Sequence, residues 1–268
     1  MSPSLSAPTG PSRPVAIITG ASSGIGEVFA RKLAPYHDLI LVARRAYRLE
    51  AVAVSLRSAA GAQVEVLPAD LGREDDLARV ADRVATEPRL ALLVNNAGFG
   101  LGDLFWKTPI EGLERMHRLH VLATLRLCHA ALGNLVPRNR GAIVNVASVA
   151  AFVRGVGSGG YGATKSWMTA FTEGLHLDLR SVRSSVTVQA LCPGFTYSEF
   201  HDTMGVDRRQ RAPKWLWLSA ERVVDASLAG LRRGRLYVIP SRRYRLLVAI
   251  ASALPTPFRL ALEGARRR

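Results

Sequence analysis

A short β-branched apolar run that ends in a glycine turn and opens into a helix constrains this chain more than any other feature. Residues 14–19 read P-V-A-I-I-T, then G-A-S-S-G-I-G, then a helical stretch from about Glu27 to Leu33. An apolar run of that length closed by a turn reads as a buried strand. Strand, turn and helix start in succession aim free backbone N–H groups and the positive end of a helix dipole at one point, which predicts a phosphate cradle. Gly20 permits the tight turn, Gly24 lets a ligand approach the backbone, and Gly26 lets the helix pack close to the sheet. The spacing T-G-x-x-x-G-x-G meets only part of the commoner G-x-G-x-x-G rule, and glycine turns also occur without a ligand.

The rest of the chain continues the pattern. Apolar runs at 37–43, 63–67, 90–95, 141–147 and 185–191 alternate with helical stretches at 45–60, 73–86, 110–136 and 159–182. This alternation predicts an α/β fold, a Rossmann-type doubly wound parallel sheet with helices on both faces and ligands at the carboxyl ends of the strands. With 268 residues, 48% of them hydrophobic, the chain can bury one substantial core, so a single domain is expected. Its divisions read as a disordered N-terminal arm (1–14), a main domain (15–240) with a substrate loop at 195–219, and a basic, apolar C-terminal helical extension (241–268). The first fourteen residues are rich in Ser and Pro and have neither the basic start nor the apolar core of a signal peptide. No apolar run reaches spanning length. Cys128 falls in an expected helix and Cys192 ends an expected strand, without metal-ligand spacing. Both are expected to be buried free thiols of a cytoplasmic, reducing compartment, and no metal site is expected.

The run Y-G-A-T-K places Tyr161 and Lys165 four residues apart on an expected helix, hence on one face. A nearby cation favours a phenolate and brings a phenol closer to acid-base work at neutral pH. Ser148, at the end of an apolar run, could hold a substrate oxygen beside it. Alone, such a pair is more often a buried ring and a solvated charge.

The motifs T-G-A-S-S-G-I-G (19–26), A-D-L (69–71), N-N-A-G (95–98), the Ser148/Tyr161/Lys165 set and C-P-G-F-T (192–196) stand in order from about Val15 to Phe200. In that order and spacing the chain resembles the short-chain dehydrogenase/reductase family. The resemblance implies that Ser148, Tyr161 and Lys165 are catalytic. It also implies a nicotinamide dinucleotide held by Gly20, Ser22, Ser23, Gly24, Ile25 and Gly26. Asp70 would face the adenine edge and Leu71 its ring, while Asn95, Ala97 and Gly98 line the cofactor from the fourth strand. Pro193, Gly194, Thr196 and Ser198 would meet the carboxamide and diphosphate. Lys165 would also bind the ribose, and Tyr161 would give a proton to a carbonyl oxygen that Ser148 holds while hydride arrives at the carbon. The same groups run backwards as an alcohol dehydrogenase.

The run L-I-L-V-A-R-R puts Ala43 where an acid would accept the ribose hydroxyls of NAD, and Arg44 and Arg45 follow. Space and charge there favour NADP(H), and so reduction. Two arginines opening a surface helix could also be merely solvated. The family's usual asparagine on the helix behind the site is His120 here. It is read as a possible proton relay, as a space-filling residue, or as a position where only the backbone carbonyl matters. The loop 195–219 carries Phe195, Tyr197, Phe200, Met204, Trp215 and Trp217, which suits an apolar ketone or alcohol substrate, 3-oxoacyl-like or otherwise lipid-like, or simply the loop's own packing. In detail the segment from Pro193 to His201 and the basic C-terminal region loosely resemble bacterial relatives of long-chain 3-oxoacyl reductases.

Net charge is +15, and residues 208–268 hold fifteen Lys or Arg against three acids, a local balance of +12. With no zinc spacing or RNA-binding signature, nucleic acid is not an expected partner. A peripheral contact of 246–254 with anionic membrane is weighed against a packed helix that covers the pocket. A homodimer or homotetramer is expected by the same resemblance. A catalytically silent NADP-binding regulator or scaffold is the competing reading, with His120 as its only support.

Overall fold

The computed structural model describes residues 13–197 and 213–264. The proposed arm (1–14) lies almost wholly outside the described residues, as do Ser198, Phe200 and Met204.

Seven parallel strands form one sheet in the order β3-β2-β1-β4-β5-β6-β7. They are β1 (Val15–Thr19), β2 (Asp38–Ala43), β3 (Val64–Pro68), β4 (Leu90–Asn95), β5 (Ala142–Val146), β6 (Thr187–Leu191) and β7 (Tyr237–Val238). Helices cross between them: α1 (Gly24–Leu33), α2 (Ala46–Ala60), α3 (Glu74–Thr86), α4 (Ile110–His117), α5 (Ala123–Leu135), α6 (Gly159–Ser181) and α7 (Ala220–Leu231). Two more, α8 (Arg242–Ala253) and α9 (Thr256–Gly264), follow β7.

The strand sequences explain why both faces are covered. Alternate side chains of a strand point to opposite faces. In β1, Ala16 and Ile18 join one core with Phe29 and Leu33 of α1, Leu49 of α2 and Val224 of α7. Val15 and Ile17 join the other, with Leu77 and Val80 of α3, Leu127 of α5 and Leu179 of α6. A strand apolar on both sides needs helices on both sides, which is why it reads as an unbroken apolar run. Helix α3 starts with Glu74, Asp75 and Asp76, acids that suit the positive end of its dipole. Gly61 ends α2 in the left-handed conformation, at φ +59°.

The strand order reverses between β1 and β4, so the crevice at a doubly wound switch point opens at Thr19 and Asn95. The helix read as continuous over 110–136 is instead interrupted by one π-helical turn, Arg118–Leu122. Helix α1 starts at Gly24 rather than near Glu27, because first-turn N–H groups need no intrahelical partner and glycine there costs no ladder bond.

Candidate active site

The glycine turn is built by two strands. Gly20 and Gly24 have φ of +66° and +57°, where a Cβ would be strained. A Cβ on Gly26 would stand 2.3 Å from the Gly20 carbonyl oxygen, so the helix start is pressed onto the turn. From β4, Asn96 Nδ2 donates to the carbonyls of Thr19 (3.0 Å) and Gly20 (3.2 Å). Thr19 Oγ1 accepts from the Asn96 and Ala97 N–H groups at 2.9 and 3.0 Å and donates to the Val94 carbonyl. Thr19 and Asn96 stand inside the quoted motifs, yet neither was assigned a role from sequence. The turn, the first-turn amides of α1 and a cation beside them suit a diphosphate group. That cation is Arg45, whose guanidinium donates to Ser22 Oγ (3.2 Å) and Ser23 Oγ (3.3 Å). Arg44 lies exposed and Ile25 partly so.

Two residues expected at the cofactor also have partners within the protein. Asn95 turns its amide into the sheet, donating to Asn145 Oδ1 (2.9 Å) and Cys128 Sγ (3.3 Å). The Asn95 Oδ1 is buried without a hydrogen-bond partner among the described residues. Leu71 is buried in the same core cluster as Leu77 and Val80, where burial of its side chain is favourable. Asp70 accepts from the Gly72 N–H (3.1 Å) and pairs with Arg115 at 3.0 Å.

Ser148, Tyr161 and Lys165 come together at the ends of β5 and β6. Ser148 caps the short 3-10 turn Val149–Ala151 by accepting from the Ala150 N–H (3.1 Å), and its own hydrogen reaches the Pro193 carbonyl at a long 3.4 Å. Tyr161 hydrogen-bonds to Ser148, but burial dominates and pushes the phenol up to about 12. Lys165 donates to the Val146 carbonyl (2.8 Å) and lies 5.8 Å from the Tyr161 ring centre. Burial holds its ammonium down to about 8. In the protein alone, burial of the phenol outweighs the Ser148 hydrogen bond. Protonated at neutral pH, Tyr161 has the form of an acid rather than a base.

His120 sits on the π-helical turn and is fully buried. Nε2 accepts from the Phe99 N–H (3.2 Å), and Nδ1 lies 2.9 Å from Thr164 Oγ1. Thr164 spends its hydroxyl hydrogen on the Tyr161 carbonyl at 2.8 Å, so Nδ1 must be the donor. Both contacts thus select the neutral ring with its proton on Nδ1. Burial first, then the charges of Lys165 and His117, hold its pKa well below 6.5. The ring stands 5.9 Å from Tyr161, edge to face, and a Cβ on Gly98 would come within 2.7 Å of Nε2. The small residue at 98 is thus matched to the imidazole.

After β6 the chain turns through Pro193 and Gly194, and Thr196 Oγ1 donates to the Gly194 carbonyl (3.0 Å). Thr196 is buried, so its hydroxyl supports the turn. Phe195 and Tyr197 pack against Trp217, with ring centres 5.4 and 5.0 Å apart. Tyr244 of α8 joins this group, and nothing in its arginine-rich surroundings marked it in the sequence.

The family model described as short chain dehydrogenase matches residues 14–208. An uncharacterised oxidoreductase of Staphylococcus epidermidis is 32% identical over 222 residues, 81% of this chain and 90% of its own length. Among solved structures, a short-chain dehydrogenase from Sphingobium yanoikuyae in complex with NADPH is 38% identical with a TM-score of 0.81, covering 91% of this chain and 97% of that one. A bulky-bulky ketone specific alcohol dehydrogenase from Comamonas testosteroni is 31% identical with a TM-score of 0.77, covering 92% and 96%. With the glycine turn and the Ser148, Tyr161, Lys165 cluster in one crevice, the chain belongs to the short-chain dehydrogenase/reductase family, nicotinamide-dependent oxidoreductases of alcohol and carbonyl groups.

Proposed function

We propose that this protein is an NADPH-dependent carbonyl reductase for bulky, apolar ketones, with Tyr161 as proton donor. The observation that carries the reading is Tyr161 of α6 hydrogen-bonded to Ser148, with the Lys165 ammonium 5.8 Å from its ring centre, at the carboxyl ends of β5 and β6 next to the dinucleotide crevice. When bound, the dinucleotide supplies the hydride. Gly20, Gly24 and the α1 start would hold its diphosphate, with Ser22, Ser23, Ala97, Gly98, Pro193 and Gly194 around it and Thr196 bracing the turn. Ser148 is only weakly engaged with Pro193, so its hydroxyl can turn to a ketone oxygen. Tyr161 gives that oxygen its proton, and negative charge never has to persist there. Lys165 spends one hydrogen on Val146 and keeps two for ribose hydroxyls. His120 supports Tyr161 from behind.

NADP(H) preference is supported by Ala43 at the end of β2 and by Arg45 lying against Ser22 and Ser23. The aromatic group Phe195, Tyr197 and Trp217 supports a ketone with large apolar substituents, in keeping with the bulky-bulky ketone specificity of the Comamonas enzyme. No helix among the described residues is long and apolar enough to cross a membrane. Helix α8 buries Tyr244, Val248 and Ala251 yet leaves Leu246 (63%) and Ile250 (50%) exposed beside Arg242, Arg243 and Arg245. This row supports a weak contact with anionic membrane; a cytoplasmic homodimer or homotetramer is proposed on the family resemblance alone. The reaction is tested by following NADPH absorbance with a panel of ketones. NADPH binding without consumption on any ketone, and without reversal on the matching alcohols, would leave the silent scaffold instead.

A further inference from the structure

We propose that Tyr244 is a positioning residue that makes helix α8 part of the substrate side of the site. The inference rests on the ketone-reductase reading above, and its test separates the two. Tyr244 is 3% exposed. Its hydroxyl accepts from the Phe195 N–H (3.1 Å) and donates to the Leu216 carbonyl (2.9 Å). Phe195 and Leu216 belong to the two segments that pair through the Thr196 and Leu218 bridge, where Tyr197 N–H donates to the Leu218 carbonyl and Leu218 N–H to that of Phe195. One hydroxyl therefore ties both strands of this neck to one helix. The phenol ring lies against the face of Gly194, where a Cβ would fall 2.0 Å from Tyr244 Cζ. Arg243, next in the chain, donates to the Trp215 carbonyl (2.9 Å) and covers its ring. A buried phenol is a poor candidate for ionisation, and burial does raise its pKa, so it remains a donor to Leu216 throughout the working range.

The geometry separates two roles of the side chain. The hydroxyl fixes the neck that carries Phe195, Tyr197 and Trp217, and the ring fixes the Gly194 turn. In Tyr244→Phe the ring stays and both hydrogen bonds go. We expect the KM for valerophenone, bulky on both sides of its carbonyl, to rise about tenfold, which at 25 °C corresponds to about 1.4 kcal/mol. The KM for acetophenone, the kcat values and the NADPH Kd should stay within about twofold. A side chain that served folding alone would lower the thermal midpoint and leave the ratio of the two ketone KM values untouched. Tyr244→Ala should in addition weaken NADPH binding and lower kcat, because the Gly194 turn loses its support.

Hydrogen exchange of wild type and Tyr244→Phe supplies the second measurement, with faster exchange expected at the Phe195, Tyr197 and Leu218 amides. Unchanged exchange there, or an unchanged KM ratio in an active variant, overturns the proposal. If wild type reduced no ketone, the ketone-reductase reading would fall and take the substrate role of Tyr244 with it, whatever the exchange showed. An active wild type with an unchanged KM ratio removes only the positioning role.

Discussion

Replacing His120 by asparagine should make the protein less sensitive to acid without giving its rate profile a new limb. The ring is fully buried, and its two nitrogens are committed to the Phe99 N–H and to Thr164 Oγ1 in the neutral form. Its pKa in the fold is lowered well below 6.5, while in the unfolded chain it returns to about 6.5. The unfolded state therefore binds the extra proton below that value and the folded state does not, so stability is complete above about pH 6.5 and falls as pH falls. The loss grows as pH falls and at pH 5 is at most about 2 kcal/mol, the limit for a ring that has taken up no proton. His37, also buried with a lowered pKa, contributes in both proteins and cancels in the difference. Urea unfolding at pH 5, 6, 7 and 8, followed by tryptophan fluorescence, gives the two curves. The asparagine variant should lose less than wild type between pH 7 and 5, by up to about 2 kcal/mol. Ketone reduction by both proteins should show no limb near pH 6.5, since a ring whose pKa lies well below that value cannot set one there. Equal acid losses, or a wild-type limb near pH 6.5 that vanishes with asparagine, would show that His120 titrates in the fold and relays protons.

Tyr161→Phe should cut ketone reduction by about 100-fold or more, the usual range for a lost general acid, with NADPH affinity near wild type. A loss of less than about tenfold, about 1.4 kcal/mol of barrier, would remove Tyr161 from its role. Lys165, held down to about 8 by burial, loses its charge as pH rises through that value in the free protein, so NADPH affinity measured by fluorescence should weaken above pH 8. Lys165→Met should lack that trend, and its persistence in the variant would point to another group. Ala43→Asp combined with Arg44→Ala and Arg45→Ala should turn cofactor preference toward NADH, because the carboxylate repels a 2′-phosphate and the charge-assisted contact is lost. A wild type that already prefers NADH would overturn the basis for that change. Leu246→Glu with Ile250→Glu should abolish weak, salt-sensitive sedimentation with phosphatidylserine vesicles. The pair leaves Tyr244 in place, which truncation before α8 would not. Equal pelleting of wild type and variant would place the contact elsewhere.

The parts of the fold that were legible in the sequence are those whose signal is local. Strands such as V-A-I-I-T, apolar on both faces, and helices with glycine or acids at their ends carry their own assignment. The crevice could be placed because a glycine turn fixes where a strand ends. The orientations of Asn95 and Leu71 were not legible, since which side of β4 meets Asn145, or whether Leu71 finds Leu77, is decided by packing between elements far apart in the chain. The π-helical turn around His120 escaped for a related reason: its apolar periodicity blends into the helices on both sides. The depth at which the Tyr161 phenol is buried was not legible either, because spacing reports which charges are near and not how much protein covers them. Tyr244 carries no motif, and its importance comes from meeting two segments that the sequence places 28 and 49 residues away.

The bracing of the Gly20 turn by Asn96 makes the nucleotide cradle depend on two segments far apart in the chain. The turn's carbonyls are held by a side chain 76 and 77 residues further on, and it reaches them only after β4 has paired with β1 across the point where strand order reverses. A chain emerging from synthesis that has completed β1 and α1 has the glycines but lacks the clamp. Dinucleotide should therefore bind almost solely to molecules whose two sheet halves are joined, and its binding energy adds to the stability of that joined state alone. In a cell, cofactor supply would then act as a selector for correctly assembled copies, lengthening the life of those that have closed the sheet and leaving half-built ones to proteolysis.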